Sequence, residues 1–177
     1  MYMFRKEKIV LSEYLGDMVY GANDGIITTF AIISAGAGAT FEGNMIIVIG
    51  LANLIADGFS MGASSFLSIK TREDVKNRKR LFGTYDGDAR RRSLATFLAF
   101  ILAGSMPLIP FFCSGVEGKE FLVSAVAAGV AFFTVGGLRT LVTKRGFIVS
   151  GLEILFVGGV AAGLSYSIGA IVEAVVL

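Results

Sequence analysis

Apolar residues run in five long blocks, near 19–38, 44–69, 93–113, 120–142 and 147–173, divided by shorter polar or charged stretches. Each block has the roughly 20 mostly apolar residues that an α-helix needs to cross a bilayer. The pattern predicts an all-α integral membrane protein: five transmembrane helices forming a single transmembrane domain over 1–177. Ahead of the first block, Ile9, Leu11, Leu15 and Met18 recur at roughly helical spacing, with Glu13 and Asp17 elsewhere on the surface. This predicts a short amphipathic helix at the membrane interface that leads into the first span. Pro107 and Pro110 are expected to bend or end the third helix, because proline lacks the backbone donor a helix interior needs. Gly21-x-x-x-Gly25, Gly58-x-x-x-Gly62 and Gly159-x-x-x-Gly163 all allow close helix contact. Gly50, Leu54, Gly58 and Gly62 reappear at a constant offset as Gly151, Leu155, Gly159 and Gly163. An inverted repeat takes that form, but glycine and leucine are abundant enough here for chance to produce it.

Composition supports the membrane reading. The 177 residues are 54% hydrophobic and only 17% charged, with a mean hydropathy of +0.73. Globular domains carry about 25% charged residues. The distribution of charge matters more than its net value. Of the 16 basic residues, only Lys119 falls on one side of the predicted spans; the rest sit before the first span, in the loop 70–92, or around Arg139, Lys144 and Arg145. The positive-inside rule makes that basic face cytoplasmic, with the N-terminus inside and the C-terminus outside. The loop 70–92 reads as a topogenic juxtamembrane segment rather than a nucleic-acid site. Within it, Asp86-Gly-Asp88 reads as a plain turn, since the other positions of a calcium loop are missing. Residues 1–18 lack the apolar core of a cleavable signal peptide. A prokaryotic cell membrane is the expected location. With one cysteine, Cys113, and no histidine, an intrachain disulfide, a His-based zinc site and a Ser-His-Asp triad are excluded.

Two aspartates interrupt the apolar blocks, Asp24 in the first and Asp57 in the second. A charged side chain at the bilayer centre costs roughly 2.5–3.5 kcal/mol on insertion scales, and such residues usually face a bundle interior or a water-filled path. Asn53, Asp57 and Met61 follow at i, i+4 and i+8, one stripe on one helix face, with Ser60 and Ser64 beside it. An amide oxygen, a carboxylate and a thioether form a mixed donor set. The oxygens suit Mg²⁺, Ca²⁺ and Mn²⁺, and the sulfur shifts preference toward Fe²⁺ and later metals. Asn23 and Thr28 flank Asp24 and extend the candidate path to a second helix. Other readings stay open: Asp24 as an N-cap, and Met61 as core filling. Glu153 either lines the path as a proton relay or sits at the inner interface near Lys144 and Arg145. Glu13 and Asp17, one turn apart, either belong to the interfacial helix surface or gather cations at a cytoplasmic mouth.

Two longer motifs carry a resemblance. Gly21-Ala-Asn-Asp-Gly-Ile-Ile-Thr-Thr-Phe30 and Gly50-Leu-Ala-Asn-Leu-Ile-Ala-Asp-Gly-Phe-Ser-Met-Gly62 resemble the vacuolar iron transporter and plant nodulin-like family. Pro107-Leu-Ile-Pro-Phe111 and Tyr166-Ser-Ile-Gly169 fit its later helices. The resemblance implies a five-helix protomer, a homodimer, and export of cytosolic Fe²⁺ and often Mn²⁺ in exchange for protons, with no tightly bound cofactor and no enzymatic activity. It places the positions of Asp24 and Met61 along the translocation path. This chain departs from the vacuolar members in having Asn53 in place of a glutamate. It also lacks the Glu- and Met-rich cytoplasmic extension between the second and third spans and an N-terminal histidine. Two other functions stay in view: a non-transporting metal sensor or scaffold, and, remotely, an intramembrane aspartyl protease.

Overall fold

The computed structural model describes residues 2–77, 88–113, 115, 118–143 and 145–176, and among these all regular structure is helical. Helix α1 spans Tyr2–Gly38, α2 Gly43–Asn77 and α3 Asp88–Ser105; a 3₁₀ helix covers Met106–Phe112; α4 spans Glu120–Leu138, α5 Thr140–Thr143 and α6 Phe147–Val176. Side chains are described in α1 from Ser12 onward. Residues 78–87, the middle of the basic loop, lie outside the described residues, and so does Asp86 of the Asp86-Gly-Asp88 turn. The amphipathic stretch 4–18 is the first part of α1, not a separate element.

Four helical segments are long and apolar enough to cross a membrane: Gly43–Arg72, Ala89–Phe112, Glu120–Leu138 and Phe147–Val176. Helix α1 is not among them, and its position in the bundle accounts for its polarity. It packs against α2, α3, α4 and α6, and Ile26, Thr29, Ile33 and Ser34 are buried within it. A helix surrounded by protein can carry polar side chains that a lipid-facing helix cannot. The exposed apolar side chains are on the others: Phe59 on α2, Leu102 on α3, Val130 on α4 and Phe156 on α6 are all more than half exposed.

Glycines set how closely α1 approaches its neighbours. A Cβ on Gly21 would lie 2.5 Å from the Thr96 carbonyl oxygen, and one on Gly25 would run into the carbonyl of Phe100. From the other side, a Cβ on Gly104 would lie 2.7 Å from the Gly25 carbonyl oxygen. The α1–α3 crossing is thus backbone against backbone, as small-residue motifs allow. Gly38 and Gly169 make the same approach between α1 and α6, with Gly169 against the Ala35 carbonyl. Gly58 and Gly62 meet side chains of α3 instead. Gly159 and Gly163 face open space, so the third small-residue motif makes no close contact with another element among the described residues. The echo between α2 and α6 is therefore not repeated in packing.

The prolines act as their chemistry dictates. Helix α3 ends at Ser105, and the chain tightens into the 3₁₀ helix with Pro107 in its first turn and Pro110 inside it. Ser124 of α4 donates a 2.6 Å buried hydrogen bond to the Pro107 carbonyl, tying the 3₁₀ helix to the bundle. Ser124→Ala would leave a buried carbonyl short of a donor, a loss of about 1–3 kcal/mol. Thermal unfolding in detergent should show a lower midpoint, with the helical signal unchanged at low temperature. Just past the C-terminal end of α1, Thr40 adopts φ 53, and its hydroxyl donates to Glu173 of α6 at 2.6 Å. Cys113 is exposed and free.

Candidate functional site

Asp24 of α1 and Asp57 and Met61 of α2 line one polar cavity of about 660 Å³. The α2 wall continues through Ser60, Ser64, Ser65 and Ser68 to Arg72. At 1.5 Å per residue, Asp57 to Arg72 is about 22 Å of helix, so the cavity is a vestibule reaching from mid-bundle to the basic end of the molecule. Asp17 and Tyr20 of α1 and Arg92 and Thr96 of α3 complete its walls. The period of the helix explains the α2 wall: residues three and four apart repeat on one face.

The expected stripe on α2 is present, with one internal bond. Asn53 donates its amide to Asp57 Oδ2 at 2.8 Å. This orients the Asp57 carboxylate from one turn away, although Asn53 itself is not on the cavity wall. No salt bridge reaches Asp24 or Asp57 among the described residues. Two carboxylates sharing a cavity repel each other, and a divalent cation between them relieves that repulsion. Among the described residues no group of three or more His, Cys, Asp or Glu side chains is arranged to hold a metal ion. The cavity thus offers two carboxylates outside any salt bridge among the described residues, Asp24 and Asp57, and the Met61 thioether, with hydroxyls along the approach.

The remaining candidates separate from this vestibule. Thr28 donates its hydroxyl to its own helix, at the Asp24 carbonyl, 2.9 Å away, and is not on the cavity wall. Asn23 and Glu153 line a different cavity of about 400 Å³, with Gly16, Val19 and Arg139. Tyr20 borders both cavities. The Asn23 Oδ1 atom is buried there without a hydrogen-bond partner among the described residues. Glu153 is paired with Arg139 at 3.2 Å and lies 4.0 Å from Arg145. Glu13 and Asp17 are both bonded to Arg92, each at 2.7 Å. The structure brings the two aspartates and Met61 singled out in the sequence onto one cavity; the Arg92 clasp, Tyr20 and the serines nearest the basic end are not singled out there. A basic run between spans reads as topology, and nothing in its spacing marks one arginine as turned inward.

The fold and this acidic vestibule define a multi-pass integral membrane protein with a polar path into its interior. The model of the VIT family matches residues 15–82 and 83–170, and the chain belongs to that family. The two matched segments meet inside the basic loop, where the resemblance places the missing cytoplasmic extension. The chain is 29% identical over 168 residues to "Vacuolar iron transporter homolog 3" of Arabidopsis thaliana, covering 88% of this chain and 81% of that protein. It is 23% identical over 218 residues to "Protein CCC1" of Saccharomyces cerevisiae, covering 86% and 67%. The "Vacuolar iron transporter" of Toxoplasma gondii is 38% identical over 63 residues; the match covers 36% of this chain and only 21% of that protein. These relatives are eukaryotic, so they lend no support to a prokaryotic membrane.

Proposed function

We propose that this chain is a divalent-metal transporter that moves Fe²⁺, Mn²⁺ or both out of the cytosol in exchange for protons, as a homodimer. The observation that carries this reading is the vestibule, which brings Asp24, Asp57 and Met61 from two helices into one water-accessible space. Family membership agrees, since the family is one of transporters, not enzymes, and this sets the protease reading aside. The iron in the relatives' names enters the proposal as cargo.

Helix α1 is the fifth span, crossing within the bundle where its polar residues are shielded by protein. The basic end faces the cytosol, following the positive-inside rule, which puts the N-terminus in the cytosol and the C-terminus on the far side. A metal ion enters past Asp17 and the hydroxyls of α2, keeps part of its water shell, and exchanges the rest for Asp24, Asp57 and Met61. Donors of mixed type bind an ion firmly enough to admit it and weakly enough to release it, which passage requires. When metal leaves, protons can take its place on the carboxylates. Glu153 and Asn23, in their own cavity, belong to a secondary path or proton relay. The apolar side chains of Ile55 and Phe59 on α2 give a second copy a face to cover.

The test is metal uptake into liposomes carrying the purified chain, with Fe²⁺ and Mn²⁺ offered in parallel, with and without a pH gradient. Flux that follows the gradient supports the proposal; no flux of either metal in folded, inserted protein refutes it. Met61→Leu keeps volume and should cost under about 1.5 kcal/mol of stability. It removes the only soft donor in the set, so the ratio of Fe²⁺ to Mn²⁺ flux should fall about three- to tenfold. An unchanged ratio would return Met61 to core packing.

A further inference from the structure

Glu13 and Asp17 stand one turn apart on α1, with Asp17 on the vestibule wall, a spacing at which two carboxylates can share a cation. That cation is already present in the chain. Arg92 reaches from α3, with Nη1 on Glu13 Oε2 and Nε on Asp17 Oδ2, both at 2.7 Å. These are the short lengths of charge-assisted bonds. The Arg92 side chain is only 14% exposed and lines the vestibule wall beside Asp17. A guanidinium does not lose its proton in proteins, so the clasp cannot open by titration of the arginine. Salt reaches the Glu13 contact, whose side chain is 50% exposed, more readily than the Asp17 contact.

We propose that Arg92 is a positioning residue of the transport path: it occupies Glu13 and Asp17 so that they do not hold metal at the mouth. The inference rests on the transport reading. An ion then meets Asp24 and Asp57 as the first carboxylates without a cationic partner. The physical need is clear: a divalent ion held by two bare carboxylates at the entrance would delay every ion behind it. A clasp that served only to pin α1 against α3 would leave metal binding at the mouth unaffected when its charge is removed.

The experiment counts Mn²⁺ bound per chain by electron paramagnetic resonance on the purified full chain in detergent, and measures flux in liposomes separately. Arg92→Gln should bind one more Mn²⁺ than wild type, and that ion should vanish when Glu13→Gln and Asp17→Asn are added. Arg92→Lys, which keeps the charge, should not gain it. In liposomes, Arg92→Gln should lower the apparent KM for Mn²⁺ about tenfold and lower the saturating flux with it. An unchanged Mn²⁺ count in folded Arg92→Gln overturns the inference. So does the loss of a bound Mn²⁺ when Glu13→Gln and Asp17→Asn are made with Arg92 in place, an arm that decides the matter even if Arg92→Gln fails to fold. Absence of flux in wild type would refute the transport reading alone, because the Mn²⁺ counts do not depend on transport.

Discussion

Asp24→Asn should abolish metal flux, lowering it by about a hundredfold or more. The substitution keeps size and shape but exchanges a full negative charge for a neutral amide. In a partly desolvated site a charged contact to a divalent cation is worth about 3 kcal/mol, and each 1.4 kcal/mol is tenfold in affinity. Asp57→Asn should act in the same direction but less strongly. One of the Asp57 carboxylate oxygens already accepts a hydrogen bond from Asn53. Neither change removes a salt bridge that holds the bundle together. Both proteins should therefore elute as wild type on gel filtration, and flux in liposomes is the measurement that checks them. Asp24 lies in the interior of α1, so it is not an N-cap, and normal transport by Asp24→Asn would put the path elsewhere.

Gly25→Leu should prevent the bundle from forming. A Cβ there already collides with the Phe100 carbonyl, and Gly104 presses back on the Gly25 carbonyl from α3. Two backbones in contact cannot yield as a flexible side chain can. Overpacking costs of about 1–3 kcal/mol apply where side chains can repack, and here they cannot, so about 3 kcal/mol or more is expected. Gly159→Leu is the matched control. No atom lies within 4 Å of a Cβ at that position, and leucine is the better helix former by close to 1 kcal/mol. Yield of monodisperse protein in detergent, compared between the two, checks the pair. Equal behaviour would mean that the α1–α3 crossing does not limit assembly.

That contrast also shows what the sequence discloses and what it withholds. The helices were legible because apolar blocks of bilayer length leave few alternatives. The third helix stops where Pro107 and Pro110 require it to. Asp24, Asp57 and Met61 were legible because a carboxylate in an apolar block is costly and a four-residue spacing fixes a helix face. Spacing cannot say which face meets a partner. Gly21-x-x-x-Gly25 and Gly159-x-x-x-Gly163 look alike on paper, yet one is crushed between backbones and the other faces open space. For the same reason Asn23 and Asp24, adjacent in the chain, border different cavities. Hydropathy alone would demote α1 for its polar residues, although it is the helix that every long neighbour touches. Arg92 was hidden in a run of basic residues, where sequence spacing does not disclose which one reaches Glu13 and Asp17.

The central claim is that a travelling ion rests between Asp24 and Asp57. Anomalous diffraction from crystals grown with Mn²⁺, collected on both sides of the manganese absorption edge, tests it most directly. One peak per chain is expected in the vestibule, within bonding distance of Asp24 and Asp57 and beside Met61. A peak only in the cavity of Asn23 and Glu153, or an empty vestibule in protein that demonstrably carries Mn²⁺ across liposome membranes, would contradict it.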